Sequence, residues 1–180
     1  MIASALYGQA ASAVLIGAAA SYLPVPRRKL AGLLIVPAAF FTIAPALHSL
    51  LSAPSFTLTQ LALWRLLYHG PPVSPDRRSA GLLVIFAALF YPLSLGLGPF
   101  DPFDIGYRPL PLLPVVAVLG LWLAWRRQER YLLLLSLDLL AYAGGLFGNL
   151  WNALFDPVLV ALAICRLVRG RMREAIPAHG

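Results

Sequence analysis

The sequence predicts an all-α integral membrane protein: a bundle of about seven transmembrane helices with its N-terminus outside and its C-terminus inside. Three observations predict it. Of 180 residues, 60% are hydrophobic and only 12% are charged, against about 25% charged in an ordinary soluble domain. The basic residues gather in four short clusters: Arg27-Arg28-Lys29, Arg77-Arg78, Arg126-Arg127 with Arg130, and a tail of Arg166, Arg169, Arg171 and Arg173. Between clusters lie apolar stretches of roughly forty to fifty residues, enough for two bilayer crossings at about twenty residues each.

Lys and Arg collect in cytoplasmic loops, so each cluster marks a return of the chain to the cytoplasm. The first crossing, roughly 3–23, carries no charge before it and meets Arg27 and Arg28 after it. A secretory signal has the opposite order, so this reads as a retained helix. The second, roughly 30–48, travels outward and contains Pro37 and Pro45, which membrane helices tolerate as kinks. The third, roughly 53–69, holds Thr57, Thr59, Gln60 and Arg65 and is the most polar, yet without it Arg77-Arg78 would face outward.

The fourth crossing spans roughly 79–97 and leads to an outer loop, 98–109. The fifth, roughly 110–125, ends at the Arg126 cluster, and the sixth covers roughly 131–148. A tight turn at Asn149-Leu150-Trp151-Asn152 leads to the seventh, roughly 153–168, and then to a cytoplasmic tail, 169–180. The whole of 1–180 forms a single membrane domain in this reading, with Arg108 the only basic residue outside.

An internal echo runs through the chain. Residues 31–41 and 80–90 agree at seven of eleven positions and exchange Ile and Val at two more; the offset is 49, and Arg126 lies 49 beyond Arg77. This pattern describes one leading helix followed by three helical hairpins. Small residues at every fourth position, Ala13-Gly17-Ser21 and Gly144-Gly148, predict close helix contacts, because packing drives association in lipid.

The net charge of +7 resides in the loop clusters, so it reads as topology and attraction to anionic head groups, with no nucleic-acid partner. The single cysteine, Cys165, excludes an internal disulfide and any multi-thiolate metal site. No cofactor is expected. The sequence has no glycine-rich phosphate loop, no Gly-x-Ser-x-Gly elbow and no His-pair zinc motif. Lys29, the only lysine, is in a loop, and His48 and His69 fall at opposite ends, while His179 is in the tail.

Two groups of residues carry candidate chemistry. His48, Asp101, Asp104 and Asp156, with Arg108, Asn149 and Asn152 beside them, form a predicted polar cluster at the outer face. Carboxylates with an imidazole could bind a divalent cation or act on a lipid head group. The plainer reading makes Asp156 a helix cap and leaves Asp101 and Asp104 in a solvated loop near Arg108. Asp138 is different: it lies about 10 Å inside the sixth crossing at 1.5 Å per residue. A carboxylate there costs about 2.5–3.5 kcal/mol and faces the bundle interior. Arg65 is its expected ion-pair partner, and proton or cation coupling is the alternative role.

Three functions follow from these residues. The leading one is a non-catalytic subunit of a larger assembly in a bacterial inner membrane, with lipid and other integral membrane proteins as partners. The second is a small proton- or cation-coupled transporter or channel using Asp138. The third is an enzyme acting on a lipid or lipid-linked substrate at the periplasmic face.

Overall fold

The computed structural model describes residues 2–51, 53–68 and 77–175, and within these the regular secondary structure is all helical. His69, Asp76 and His179 lie outside the described residues. Nine α-helices are present among the described residues: α1 (Ile2–Ala20), α2 (Arg28–Thr42), α3 (Ala44–Leu51), α4 (Phe56–Leu67), α5 (Arg77–Ser94), α6 (Leu112–Trp125), α7 (Glu129–Ala143), α8 (Leu150–Leu154) and α9 (Pro157–Ala175). A single 3-10 turn, Asp104–Gly106, interrupts the loop before α6.

Helix occupies each of the seven predicted intervals, with two differences. The second interval is divided: α2 stops at Thr42 and α3 resumes at Ala44. Pro45 has no N–H to offer the Phe41 carbonyl, so the ladder is interrupted at this point. The tight turn predicted at 149–152 is the start of a one-turn helix, α8, and the last long helix begins only at Pro157.

The expected hairpins are not the packing units. α1 packs most extensively on α2, α5 packs chiefly on α9, and α6 rests on α7. The small-residue stripe of α1 explains the first pairing. Ala13 and Ser21 are fully buried, and a Cβ at Gly17 would stand 2.6 Å from the Gly32 carbonyl oxygen, so the two backbones touch at this glycine pair. Gly144 and Gly148 make no such contact. Gly144 ends α7, and a Cβ at Gly148 would meet open space.

The two ends of the bundle differ in charge. At one end the Lys29 Nζ donates to the Tyr68 carbonyl at 2.5 Å, the Arg65 guanidinium lies 4.5 Å from the Tyr22 ring centre, and that of Arg130 lies 5.9 Å from the Tyr68 ring centre. These contacts gather the end of α1, the start of α2, the end of α4 and the start of α7. At the other end the Ser55 N–H, at the start of α4, donates to Asp156, at the start of α9. Phe90, late in α5, stacks edge-on with Phe155 at 5.7 Å, so α5 and α9 run antiparallel. The basic start of α5 and the basic half of α9 therefore point to the Lys29–Arg130 end. Asp101, Asp104, Arg108 and Asp156 belong to the opposite one.

The exposed surface is more apolar than that of a water-soluble bundle. Buried positions include Ser12, Ser21, Ser55, Thr59, Gln60, Asp138 and Asn149. The exposed surface carries large apolar side chains on every long helix; on α6, Leu123 alone is buried, while Val115, Val118 and Leu121 stand more than three-fifths exposed. The segment Ala3–Ala20 of α1 is the one stretch among the described residues both long and apolar enough to cross a membrane; a core helix or a signal sequence meets the same criterion. Its buried stripe forms part of the core against α2 and α4.

Candidate functional site

Asp138 lies at the centre of the best-defined polar constellation. On α7 the buried positions Leu134, Leu135 and Asp138 form one helical stripe. They face α4, whose buried set includes Leu58, Thr59, Gln60 and Ala62. Thr57 and Gln60, one turn apart, deliver two donors to the same carboxyl. The Thr57 hydroxyl meets Asp138 Oδ2 at 2.7 Å, and Gln60 Nε2 donates to Oδ1 at 2.7 Å and to the Leu134 carbonyl at 3.2 Å. Thr57 Oγ1 also lies 2.9 Å from the Leu154 carbonyl and 3.4 Å from that of Ala153. One side chain thus joins α4, α7 and the end of α8. Asp138 is 2% exposed.

The expected Arg65–Asp138 ion pair is not formed. Arg65 follows Gln60 by five residues on α4 and so lies about 7.5 Å further along its axis. Its guanidinium covers the Tyr22 ring, where cation–π attraction holds it, and its Nε is buried without a partner. Among the described residues, no cation pairs with Asp138. The sequence signal for the true partners was the Thr57/Gln60 spacing, one turn apart on α4.

The predicted outer-face cluster divides into separate local structures. Asp156 Oδ1 accepts from the Leu159 N–H at 2.8 Å, which caps α9, and Oδ2 accepts from Ser55 N–H at 2.9 Å. Ser55 in turn caps α4 by accepting from Leu58 N–H at 3.2 Å. Asp101 accepts from the N–H of Phe103 at 2.8 Å, a local turn. Asp104 and Arg108 are exposed, with no ion pair between Arg108 and either loop aspartate. His48 packs its ring on Gly8 of α1, and its Nδ1 is buried without a partner. Asn152 is exposed. Among the described residues no three His, Cys, Asp or Glu side chains converge as a metal site would need.

Asn149 is the exception, because it is buried and fully engaged. Its Oδ1 caps α8 by accepting from the N–H of Trp151 at 2.9 Å, and its Nδ2 donates to the Phe103 carbonyl at 3.0 Å. Trp151 Nε1 donates to the Pro102 carbonyl at 2.9 Å. These bonds fasten the 99–109 loop over α8, above a cluster of Phe90, Tyr91, Phe103, Trp151 and Phe155. Nearby, the Tyr7 hydroxyl donates to the Pro54 carbonyl at 3.0 Å and lies 2.9 Å from Thr59 Oγ1, tying α1 to the start of α4. An open pocket of about 560 Å³ lies at the other end, lined by the basic turn, including Arg27, Arg28 and Lys29.

The arrangement supplies capping, latching and one buried carboxyl. Comparison with known protein families, with curated proteins and with solved structures returns no match.

Proposed function

We propose that this chain is a multi-pass protein of a bacterial inner membrane, N-terminus out and C-terminus in, and serves as a non-catalytic subunit of a larger membrane assembly. The observation that carries this is the apolar exterior: large apolar side chains stand exposed on every long helix, while Ser55, Asp138 and Asn149 are buried with hydrogen-bond partners. A monomer in water rarely exposes apolar patches of such extent, whereas lipid or another apolar helix covers them without cost. The gathering of basic clusters at one end supports the orientation.

Helix lengths support a partner in addition to lipid. α4 has 12 residues and α6 has 14, which gives about 18 and 21 Å against a hydrocarbon core of about 30 Å. Short apolar helices relieve such mismatch by packing beside longer ones. α6 is the most exposed of them, covered only along Leu123. The test is a photocrosslinking residue at Val118, in cells expressing the chain at native level. Crosslinks to one defined integral protein, with co-migration in mild detergent, are the expected result. Crosslinks to lipid alone, from a monomer that retains full cellular function, would remove the reading.

A second reading, a small proton- or cation-coupled transporter, is favoured by the depth of Asp138 and by the broken helix at α8–α9 beside it. Broken helices with free carbonyls line ion sites in such proteins. Abolished flux in vesicles on Asp138→Asn, with normal expression, would select it. The enzyme reading has no comparable support, because His48, Asp101, Asp104 and Asp156 are each engaged separately or exposed.

A further inference from the structure

We infer that Asp138, Thr57 and Gln60 form a proton-binding site, in which the carboxyl of Asp138 carries a proton that secures the α8–α9 junction to α4. The inference rests on counting hydrogens. Thr57 has one hydroxyl hydrogen, yet its oxygen lies 2.7 Å from Asp138 Oδ2 and 2.9 Å from the Leu154 carbonyl. Both separations are hydrogen-bond distances between oxygens. A single hydrogen serves one of them. An ionised carboxylate would leave the other as two acceptors pressed together in a buried site. A proton on Oδ2 resolves the conflict: Asp138 donates to Thr57, and Thr57 donates to Leu154. Gln60 then completes the set, its two amide hydrogens going to Oδ1 and to the Leu134 carbonyl.

Two further observations agree. Asp138 is 2% exposed, with no cation against it among the described residues; a buried charge without a counter-charge is costly. Gln60, itself more than nine-tenths buried, has an Oε1 with no donor, so the centre is short of hydrogens. A sodium ion could also offset an acceptor surplus. However, the 2.7 Å approach of Thr57 Oγ1 to Asp138 Oδ2 is a direct contact, which a proton fits and an intervening ion does not.

The titratable and charged groups around the centre are few. α6 and α8 contribute none. α1 contributes Tyr7, within electrostatic reach of Asp138 and Asp156. α4 contributes Arg65, held over Tyr22, and α7 itself carries Tyr131 and Tyr142, with Glu129 and Arg130 in its first turn at the basic end. Asp156 is engaged by Ser55 and Leu159. Loss of the proton has a defined consequence. The Thr57 hydrogen turns from Leu154 to Asp138 Oδ2, and the Leu154 carbonyl at the end of α8 loses its donor. The proton therefore controls how firmly α8 and α9 are held, whatever assembly the protein joins.

The test is infrared difference spectroscopy of the full chain in lipid nanodiscs. At neutral pH we expect the C=O stretch of a protonated carboxyl that is absent in Asp138→Asn and converts to a carboxylate band as pH rises. Thr57→Val should keep the band and shift it to higher frequency, because its hydrogen-bond acceptor is gone; this arm stands if Asp138→Asn does not fold. Thr57→Ser should leave the band in place. Loss of a carboxylate band alone in Asp138→Asn at neutral pH would overturn the inference. So would a band that follows sodium concentration and ignores pH, or one that Thr57→Val leaves unmoved.

Discussion

The backbone N–H of Ser55 donates to the Asp156 side chain at 2.9 Å across a sequence separation of 101 residues. Each residue also caps its own helix, Ser55 through Leu58 and Asp156 through Leu159. The starts of α4 and α9 are therefore fixed to each other by the same groups that terminate them. Such shared capping satisfies two helix ends at once.

Asp156→Ala removes a cap worth about 1 kcal/mol and a hydrogen bond to a carboxylate worth about 1.5–3 kcal/mol. The expected loss is about 2–4 kcal/mol in an SDS unfolding titration. Asp101→Ala removes only an exposed turn contact, and should cost less than about 1 kcal/mol. Equal losses at both positions would contradict the bridging role of Asp156.

Gly17 tests the α1–α2 contact. An added Cβ would stand 2.6 Å from the Gly32 carbonyl oxygen and from Val36. Even Gly17→Ala should separate the helices and destabilise by about 1–3 kcal/mol. Gly148→Ala enters open space and should stay within about 0.5 kcal/mol. Unfolding of the two variants side by side gives the comparison.

Val118 separates a membrane environment from an aqueous one. It stands 65% exposed near the middle of α6. In water, Val118→Arg would change stability by about 0.5 kcal/mol or less. In lipid or against an apolar partner it should cost about 2.5–3.5 kcal/mol. The readout is insertion efficiency, with resistance to alkaline extraction.

Orientation is checked by labelling in a Cys165→Ser background. Arg78→Cys and Arg127→Cys should be protected from an impermeant thiol reagent added outside intact cells, and Arg108→Cys should react. Reaction at position 78 or 127 would reverse the topology.

Local patterns were legible in the sequence, and distant pairings were not. Asp156 before Pro157 identifies a helix cap, since capping involves only neighbouring residues. Nothing local marks Ser55 as its second partner. The Ala13-Gly17-Ser21 stripe predicts a close helix contact, and α2 occupies it. The same spacing at Gly144 and Gly148 marks a helix end, as the adjacent Gly145 at φ 74° shows. Arg65 was matched to Asp138 on charge and estimated depth. Two neutral polar side chains on α4 reach the carboxyl instead, while an aromatic face one and a half turns away holds the guanidinium. Packing also departs from chain order: α5 rests chiefly on α9, because chain order does not dictate which helices touch.

The union of α5 with α9 has a consequence for biosynthesis. α5 ends at Ser94 and α9 begins at Pro157, so at ordinary translation speeds their partnership is delayed by about 3–12 s. Through that interval the rings of Phe86 and Phe90 have no Phe155 to rest on. Until α9 arrives, those rings stay exposed on the nascent chain. Ribosome stalling short of residue 155 would leave an adhesive half-protein, and quality-control proteases should clear it faster than the finished product.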